Sequence, residues 1–323
     1  MNSKTMPDGY AMLTTESVVD YLRDVDAVGE ILGDDRTTWS ASEIGDGNVN
    51  FVFHVSGGNS SVIVKQALPW LRARGENWPL PLSRAYFEYE ALIREEKRAP
   101  GMTPAVIHFD REMALTVMEY LSPHIILRKG LVQGIRYPQL ARDLGRFMAR
   151  TLFRGSDLSL DAAEKRADMA IFAGNDALCG VTEARVFTEP YFDAELNRWT
   201  SPQLDDLVAD IRKDSLHKAG IHEMKMIFMT KAQSLLHGDL HSGSVMVTEN
   251  DTRVIDPEFA FYGPMGFDVG ALLANYLIAY LAQPGQATAA DDRVDYADWI
   301  LSTAIATWNE FESEYRGLWQ SER

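Results

Sequence analysis

The chain has 323 residues, enough to build one large domain or two lobes around a sizeable core. Apolar residues at 46% and charged residues at 24% exclude a disordered chain. A net charge of −16 argues against nucleic acid as a partner, because a polyanion needs a basic surface, but it leaves ATP open, where a metal ion supplies much of the neutralising charge. The opening "MNSKTMPDGY" has no basic stretch followed by an apolar run, so no signal peptide is expected. The longest apolar run, Val269 to Ala282, is broken by Asn275, is too short to span a bilayer and reads as a buried helix, so no membrane partner is expected. The single cysteine, Cys179, cannot form an internal disulfide, which suits a cytoplasmic protein.

In chain order, apolar Val18, Val19, Leu22 and Val25 predict a first helix beginning near Thr15. "WSASEIGDGNVNFVFHVSGGNSSVIVKQA" then reads as strand, glycine turn, strand, Gly-Gly-Asn-Ser turn, strand. A helix over residues 83–98 follows, then two strands around 105–109 and 114–118 joined by the charged turn Asp110-Arg111-Glu112. From Pro123 onward the pattern is mostly helical apart from one hairpin, and no repeat of fixed period is present. This is an α+β plan of two lobes: an N-terminal antiparallel sheet lobe, residues 1–121, and a larger, mostly helical lobe, residues 122–323, with the nucleotide expected on the first and catalysis and substrate on the second from the motifs and the resemblance given below. Ligands settle in clefts between such lobes.

The glycine turn contains Gly45, Asp46, Gly47 and Asn48. A dinucleotide-binding turn opens a helix, yet Phe51, Phe53 and Val55 alternate with Val52 and His54 as in a strand, so a Rossmann reading fails. What remains is an ordinary hairpin turn, or a hairpin whose tip folds over phosphates with a lysine on the next strand. Lys65 in "SVIVKQA" is placed for the second. A lysine inside an apolar strand either carries its amine out to solvent or is paired. Glu88 and Glu90 in the following helix are the candidate partners, Glu88 the favoured one.

The hairpin lies inside "LLHGDLHSGSVMVTENDTRVIDPEFAFYGPMGFDVG". With strands at Ser244–Val247 and Arg253–Asp256, Asp239 precedes one strand and Asp256 ends the other, so two acids approach one edge. Asp256 and Glu258 are two apart in what reads as an extended segment held by Pro257, so their side chains leave on the same side. Two convergent hard oxygen ligands suit Mg²⁺. Asp239 is left to orient a hydroxyl, the division of labour of phosphoryl transfer. Asp268 precedes "VGALLANYL" as an N-cap does. His237 and His241 flank a loop glycine with no cysteine or third histidine nearby, which argues against zinc, and no Gly-x-Ser-x-Gly elbow supports a hydrolase.

These residues resemble the protein-kinase-like small-molecule kinases, the superfamily of aminoglycoside phosphotransferases and choline kinases, and within it the methylthioribose kinase family. The resemblance rests on "GDGNVNFVF", "VIVKQALPW", "SRAYFEYE", "PHIILRKG", "NRWTSP", "HGDLHSGSVMVT" and "IDPEFAFYGPMGFD", which run from about residue 43 to the end. It implies ATP-dependent phosphorylation of the anomeric hydroxyl of methylthioribose, a sugar substrate, in methionine salvage, by a homodimer. It implies Asp239 as the catalytic position contacting the sugar, with Trp199 as a second sugar contact. Gly45, Asp46, Gly47, Asn48, Lys65, Glu88, Asp256, Pro257 and Glu258 surround the nucleotide, and Asp256 and Glu258 hold the metal. Glu119, Tyr120 and Leu121 form the hinge against adenine, and Asp268 also braces the catalytic loop. Ser244 stands where protein kinases place a metal-binding Asn, and Glu258 replaces that ligand. Family members continue beyond position 323 into helices carrying an arginine pair that helps hold the ribose, so weaker sugar binding is expected of this chain. The rival expectations are a kinase for an aminoglycoside, choline or homoserine hydroxyl, and a nucleotide-binding protein without turnover.

Overall fold

Thr14 starts the first helix: its hydroxyl accepts from the Glu16 and Ser17 amides, and the Ser17 hydroxyl accepts from the Thr14 amide at 2.8 Å. The computed structural model describes residues 7–44, 49–58, 60–72 and 74–322. Helices α1 (Thr15–Leu22) and α2 (Asp26–Leu32) precede three strands, β1 (Ser40–Glu43), β2 (Asn50–Gly57) and β3 (Ser60–Ala67). Helix α3 (Arg84–Arg98) leads to β4 (Val106–Asp110) and β5 (Leu115–Glu119). The five strands form one antiparallel sheet in the order β1-β2-β3-β5-β4.

Period-two alternation sorts the faces of this sheet. Val55, Val62, Val64, Leu115 and Val117 face one way and bury against Val18, Leu22, Val28 and Leu32 of α1 and α2. Val52, Ile63 and Lys65 face the other way, toward the second lobe. The sequence pattern does not separate α2 from α1, because Asp24 and Val25 interrupt the helix for only one turn.

The second lobe begins with the short strand β6 (Ile125–Ile126), then α4 (Leu127–Gln133), α5 (Leu140–Arg154), α6 (Ala162–Phe172), α7 (Asp176–Arg185), α8 (Asp205–Lys213) and α9 (Ser215–Thr230). Strands β7 (Ser234–Leu236), β8 (Val245–Val247), β9 (Thr252–Val254) and β10 (Phe261–Gly263) follow, then α10 (Gly266–Ala282) and α11 (Val294–Ser321). Besides the expected β8–β9 hairpin, β7 pairs with β10 and β6 with β8. Strands of two or three residues carry too little alternation to be read from sequence. Leu144, Phe147 and Met148 of α5 join Leu272 and Tyr276 of α10 and Ile300 of α11 in the core. Helix α10 is not buried throughout, as its sequence suggested: Leu277, Ile278 and Leu281 are 50%, 64% and 72% exposed. Among the described residues no helix is long and apolar enough to cross a membrane.

Helix α3 is bolted to the helical lobe. Arg94 of α3 grips Asp168 of α6 with both ends of its fork, at 3.0 and 2.8 Å, and Arg98 and the Tyr262 hydroxyl reach the same carboxylate at 3.3 Å. Asp168→Ala removes the carboxylate shared by two largely buried guanidinium groups, leaving Arg94 with Glu90 as its remaining acid, and should lower stability by about 3 kcal/mol. Denaturant unfolding of the purified variant measures this; an unchanged midpoint would show that the clamp contributes nothing.

Candidate active site

Lys65 reaches the cleft because it shares the exposed-to-cleft face of β3 with Ile63. Its ammonium donates to Glu88 Oε1 at 2.7 Å and in a closer contact to Asp256 Oδ1. Glu90 is not its partner; it pairs with Arg94 one turn on. Burial works against the Lys65 charge, but Asp256, Glu88 and Glu258 outweigh it and hold the amine protonated. One ammonium does not serve all its carboxylates equally. Burial pushes Glu88 up to about 7 despite Lys65, whereas at half-buried Asp256 the lysine overcomes desolvation and its pKa falls.

Carboxylate oxygens of Glu88, Asp256 and Glu258 lie within 4.8 Å of one another. Three carboxylates here face two cations, Lys65 and the fully buried Arg84, whose Nε is 3.5 Å from Glu258 Oε2. Hard oxygen donors and a deficit of positive charge fit a divalent cation such as Mg²⁺. The route by which Asp256 and Glu258 converge differs from the sequence expectation. The segment is not extended: β9 ends at Val254, Asp256 has φ of +70°, and Glu258 enters a turn. A left-handed Asp, tolerated better than most residues, turns the chain so that both side chains still meet.

Asp239 sits in a loop braced from behind. Asp268 accepts from the His237 amide at 2.7 Å and the Gly238 amide at 3.0 Å. It is therefore not the N-cap of α10, which starts two residues earlier after Met265; it faces back into the loop from the first helical turn. Gly238 has φ of +84°, and a Cβ there would lie 2.2 Å from the Phe259 carbonyl oxygen, so no other residue fits. The His237 ring is buried, donates Nε2–H to the Ile255 carbonyl at 2.9 Å and accepts the Asp239 amide at Nδ1. Burial pulls its pKa down to about 4, so it is a neutral strut. The Ser244 hydroxyl donates to the Asp239 carbonyl at 2.9 Å. His241 Nδ1 accepts the Gly243 and Ser244 amides at 2.9 and 3.1 Å, which leaves the proton on Nε2, 3.5 Å from Asp239 Oδ2. Burial and the nearby Asp256 raise the Asp239 pKa against the pull of His241 and Arg128.

A cleft of about 480 Å³ separates the lobes. Ile44, Val52, Ile63, Met118, Leu121, Ile126, Met246 and Ile255 make its walls apolar, and Asn50, Lys65, Glu88 and Asp256 make one part polar. Glu119 and Tyr120, at the junction of the lobes, line it too, with the Tyr120 ring 4.4 Å from that of His54. The glycine-turn residues Gly45, Asp46, Gly47 and Asn48 lie outside the described residues. Pro257 separates the two metal candidates in the chain and is buried. Trp199 is not among the cleft residues: it lines a separate depression with Arg185, Arg198 and Arg212, and its indole donates to Asp205. Sequence reasoning missed Arg84 and Asn50. Arg84 carried one signal, since a cation in the first position of a helix opposes the macrodipole and needs another reason to be there.

Asp268→Asn presents an amide –NH₂ to one of two backbone donors and should cost about 1–3 kcal/mol. Burial raises the Asp268 pKa from 3.8 to about 7, against its two amides, so the folded state holds this proton more tightly than the unfolded state. Stability therefore falls with rising pH between those values in the parent, and this component should vanish in Asp268→Asn. Unfolding curves across that pH window give the slope; parallel curves would remove Asp268 as the titrating group.

Residues 40–301 match the model of the phosphotransferase enzyme family. Methylthioribose kinase of Escherichia coli O45:K1 (strain S88) is 50% identical over 318 residues, which cover 98% of this chain and 76% of that protein. Methylthioribose kinase 1 of Oryza sativa subsp. japonica is 45% identical over 316 residues, 98% of this chain and 74% of that one. A solved Plasmodium vivax ethanolamine kinase superposes with a TM-score of 0.52 at 9% identity, over 96% of this chain and 84% of that one, a likeness of fold alone. With the family model spanning most of the sequence and curated relatives sharing half of it, this chain belongs to the phosphotransferase enzyme family and, within it, to the methylthioribose kinases.

Proposed function

We propose that this protein transfers the γ-phosphoryl group of ATP to the anomeric hydroxyl of methylthioribose, giving the 1-phosphate and ADP, in methionine salvage. The observation that carries the reading is the 50% identity to a methylthioribose kinase over 98% of the chain, which takes in every cleft residue. Adenine fits between the apolar walls, read by the backbone of Glu119, Tyr120 and Leu121. Lys65, fixed by Glu88, meets the phosphates together with Gly45, Asp46, Gly47 and Asn48. Asp256 and Glu258 hold Mg²⁺, which supplies charge neutralisation at the phosphates when bound.

Asp239 receives the proton of the anomeric hydroxyl as its oxygen bonds to the γ-phosphorus and the bond to the β–γ bridging oxygen breaks, with ADP leaving. An anomeric hydroxyl is a hemiacetal and more acidic than a plain alcohol, so orientation is the larger part of the task. The raised Asp239 pKa makes the carboxylate a better acceptor, and the His241 Nε2–H limits its rotation. The lobes divide the work at 121/122, nucleotide on one side and sugar on the other. The exposed Leu277, Ile278 and Leu281 support a homodimer through α10. The lone cysteine supports a cytoplasmic location.

ADP release with methylthioribose should exceed that with choline, homoserine or an aminoglycoside; a preference for any of these would overturn the substrate assignment. Asp239→Asn should leave ATP affinity nearly unchanged and cut turnover about 10²-fold or more. Near-normal turnover would remove Asp239 from the chemistry. Asp256→Ala and Glu258→Ala should each weaken the Mg²⁺-dependent part of ATP binding, because each deletes a hard oxygen ligand. Calorimetric titration with and without Mg²⁺ separates that part, and variants that respond to Mg²⁺ like the parent would show the carboxylates to be structural.

A further inference from the structure

Arg84 is among the largest fully buried side chains of the molecule, 1% exposed, and is the first residue of α3. A buried guanidinium needs acceptors for its five N–H groups. The sheet lobe supplies four. Nη1 donates to the Leu68 carbonyl at 2.8 Å and the Pro81 carbonyl at 3.0 Å, and Nη2 to the Val49 carbonyl and to Asn50 Oδ1 at 3.1 Å. The fifth, Nε–H, is buried without a hydrogen-bond partner. Its nitrogen lies 3.5 Å from Glu258 Oε2, the oxygen that also accepts from Asn50 Nδ2 at 3.2 Å.

We infer that Arg84 is a positioning residue for Glu258: anchored on four sheet-lobe acceptors, it directs Nε–H at Oε2 and leaves Oε1 to the cation. This rests on the reading of Glu258 as a metal ligand given above. Two further features support it. The Val49 carbonyl and Asn50 Oδ1 that accept from Nη2 are adjacent in the chain at the start of β2, so one guanidinium is tied to that strand while it faces the Glu258 carboxylate. Arg84 and Glu88 are four apart on α3, hence on one face. That face presents a cation to Glu258 and an anion to Lys65, and any shift of α3 loosens both pairs together.

Arg84→Lys keeps the charge and loses the fork. Mn²⁺ binding to protein saturated with a non-hydrolysable ATP analogue, followed by electron paramagnetic resonance, should weaken about tenfold, the loss expected for one charge-assisted contact. Analogue binding without metal should be unchanged, and Arg84→Lys should add nothing to Glu258→Gln. A purely structural arginine would lower thermal stability and leave the Mn²⁺ affinity of the folded protein alone. If Glu258→Gln weakens Mn²⁺ binding and Arg84→Lys does not, the inference falls and the metal reading stands. If neither does, both fall. Should Arg84→Lys not fold, nitrogen-15 arginine NMR of the parent decides. The buried Nε–H resonance should shift when Mg²⁺ joins the nucleotide-saturated protein and stay put in Glu258→Gln; an unmoved resonance in the parent overturns the inference.

Discussion

Holding the Lys65 ammonium inside the cleft requires partners from two distant parts of the chain. Unpaired, a charge with so little access to water costs several kcal/mol, and pairing recovers this only with good geometry. Glu88 lies 23 residues away on α3 and Asp256 lies 191 residues away beyond the β8–β9 hairpin. Sheet, helix and hairpin must therefore come together for any one of these side chains to be tolerable. That demand explains the Arg94–Asp168 clamp, which keeps α3, and Glu88 with it, against the helical lobe.

The electrostatics of the cleft are deliberately incomplete. Among the described residues, three convergent carboxylates share two permanent counter-charges, Lys65 and Arg84; burial leaves Glu88 poorly disposed to ionise, while Lys65 leaves Asp256 well disposed. That imbalance suits the divalent cation proposed above. Behind Asp239 the strategy is the opposite: Asp268, the His237 ring and Ser244 take up the amides of His237, Gly238 and Asp239 and the Asp239 carbonyl, and leave the Asp239 carboxylate 44% exposed. Rigid support and an open functional group are what a positioned proton acceptor needs.

The two-lobed plan was legible because long signals carry it. β2 and β3 are eight residues each, and α3 is fifteen, long enough for period to show. Lys65 with Glu88, and the approach of Asp239 to Asp256, followed from where those signals end. Arg84 escaped because its partners are mostly backbone carbonyls, which no sequence pattern displays. Of the two readings of Asp268, the loop brace implied by the resemblance holds and the N-cap does not, because helix start signals name a cap and a residue three positions inside the helix reads the same way until the loop it touches is known. Trp199, expected as a sugar contact through the string around it, lies in a depression formed by other elements than the cleft walls.

One exchange shows how local hydrogen bonding constrains the choice of metal ligands. In protein kinases an Asn of the catalytic loop reaches a metal ion beside the Asp of the Asp-Phe-Gly segment. Here the corresponding Ser244 is 1% exposed, with its hydroxyl engaged by the Asp239 carbonyl. A longer side chain at that position would lose this brace and would have to leave a packed site. A ligand supplied from the other strand connection avoids the conflict, and Glu258, held on one oxygen by Asn50 and faced by Arg84, is placed to be it. A carboxylate so close to Asp256 would repel it in isolation. Lys65 and the buried guanidinium offset that repulsion, and under the proposed reading of Glu258 as a ligand the exchange of Asn for Glu and the burial of an arginine at the start of α3 belong together.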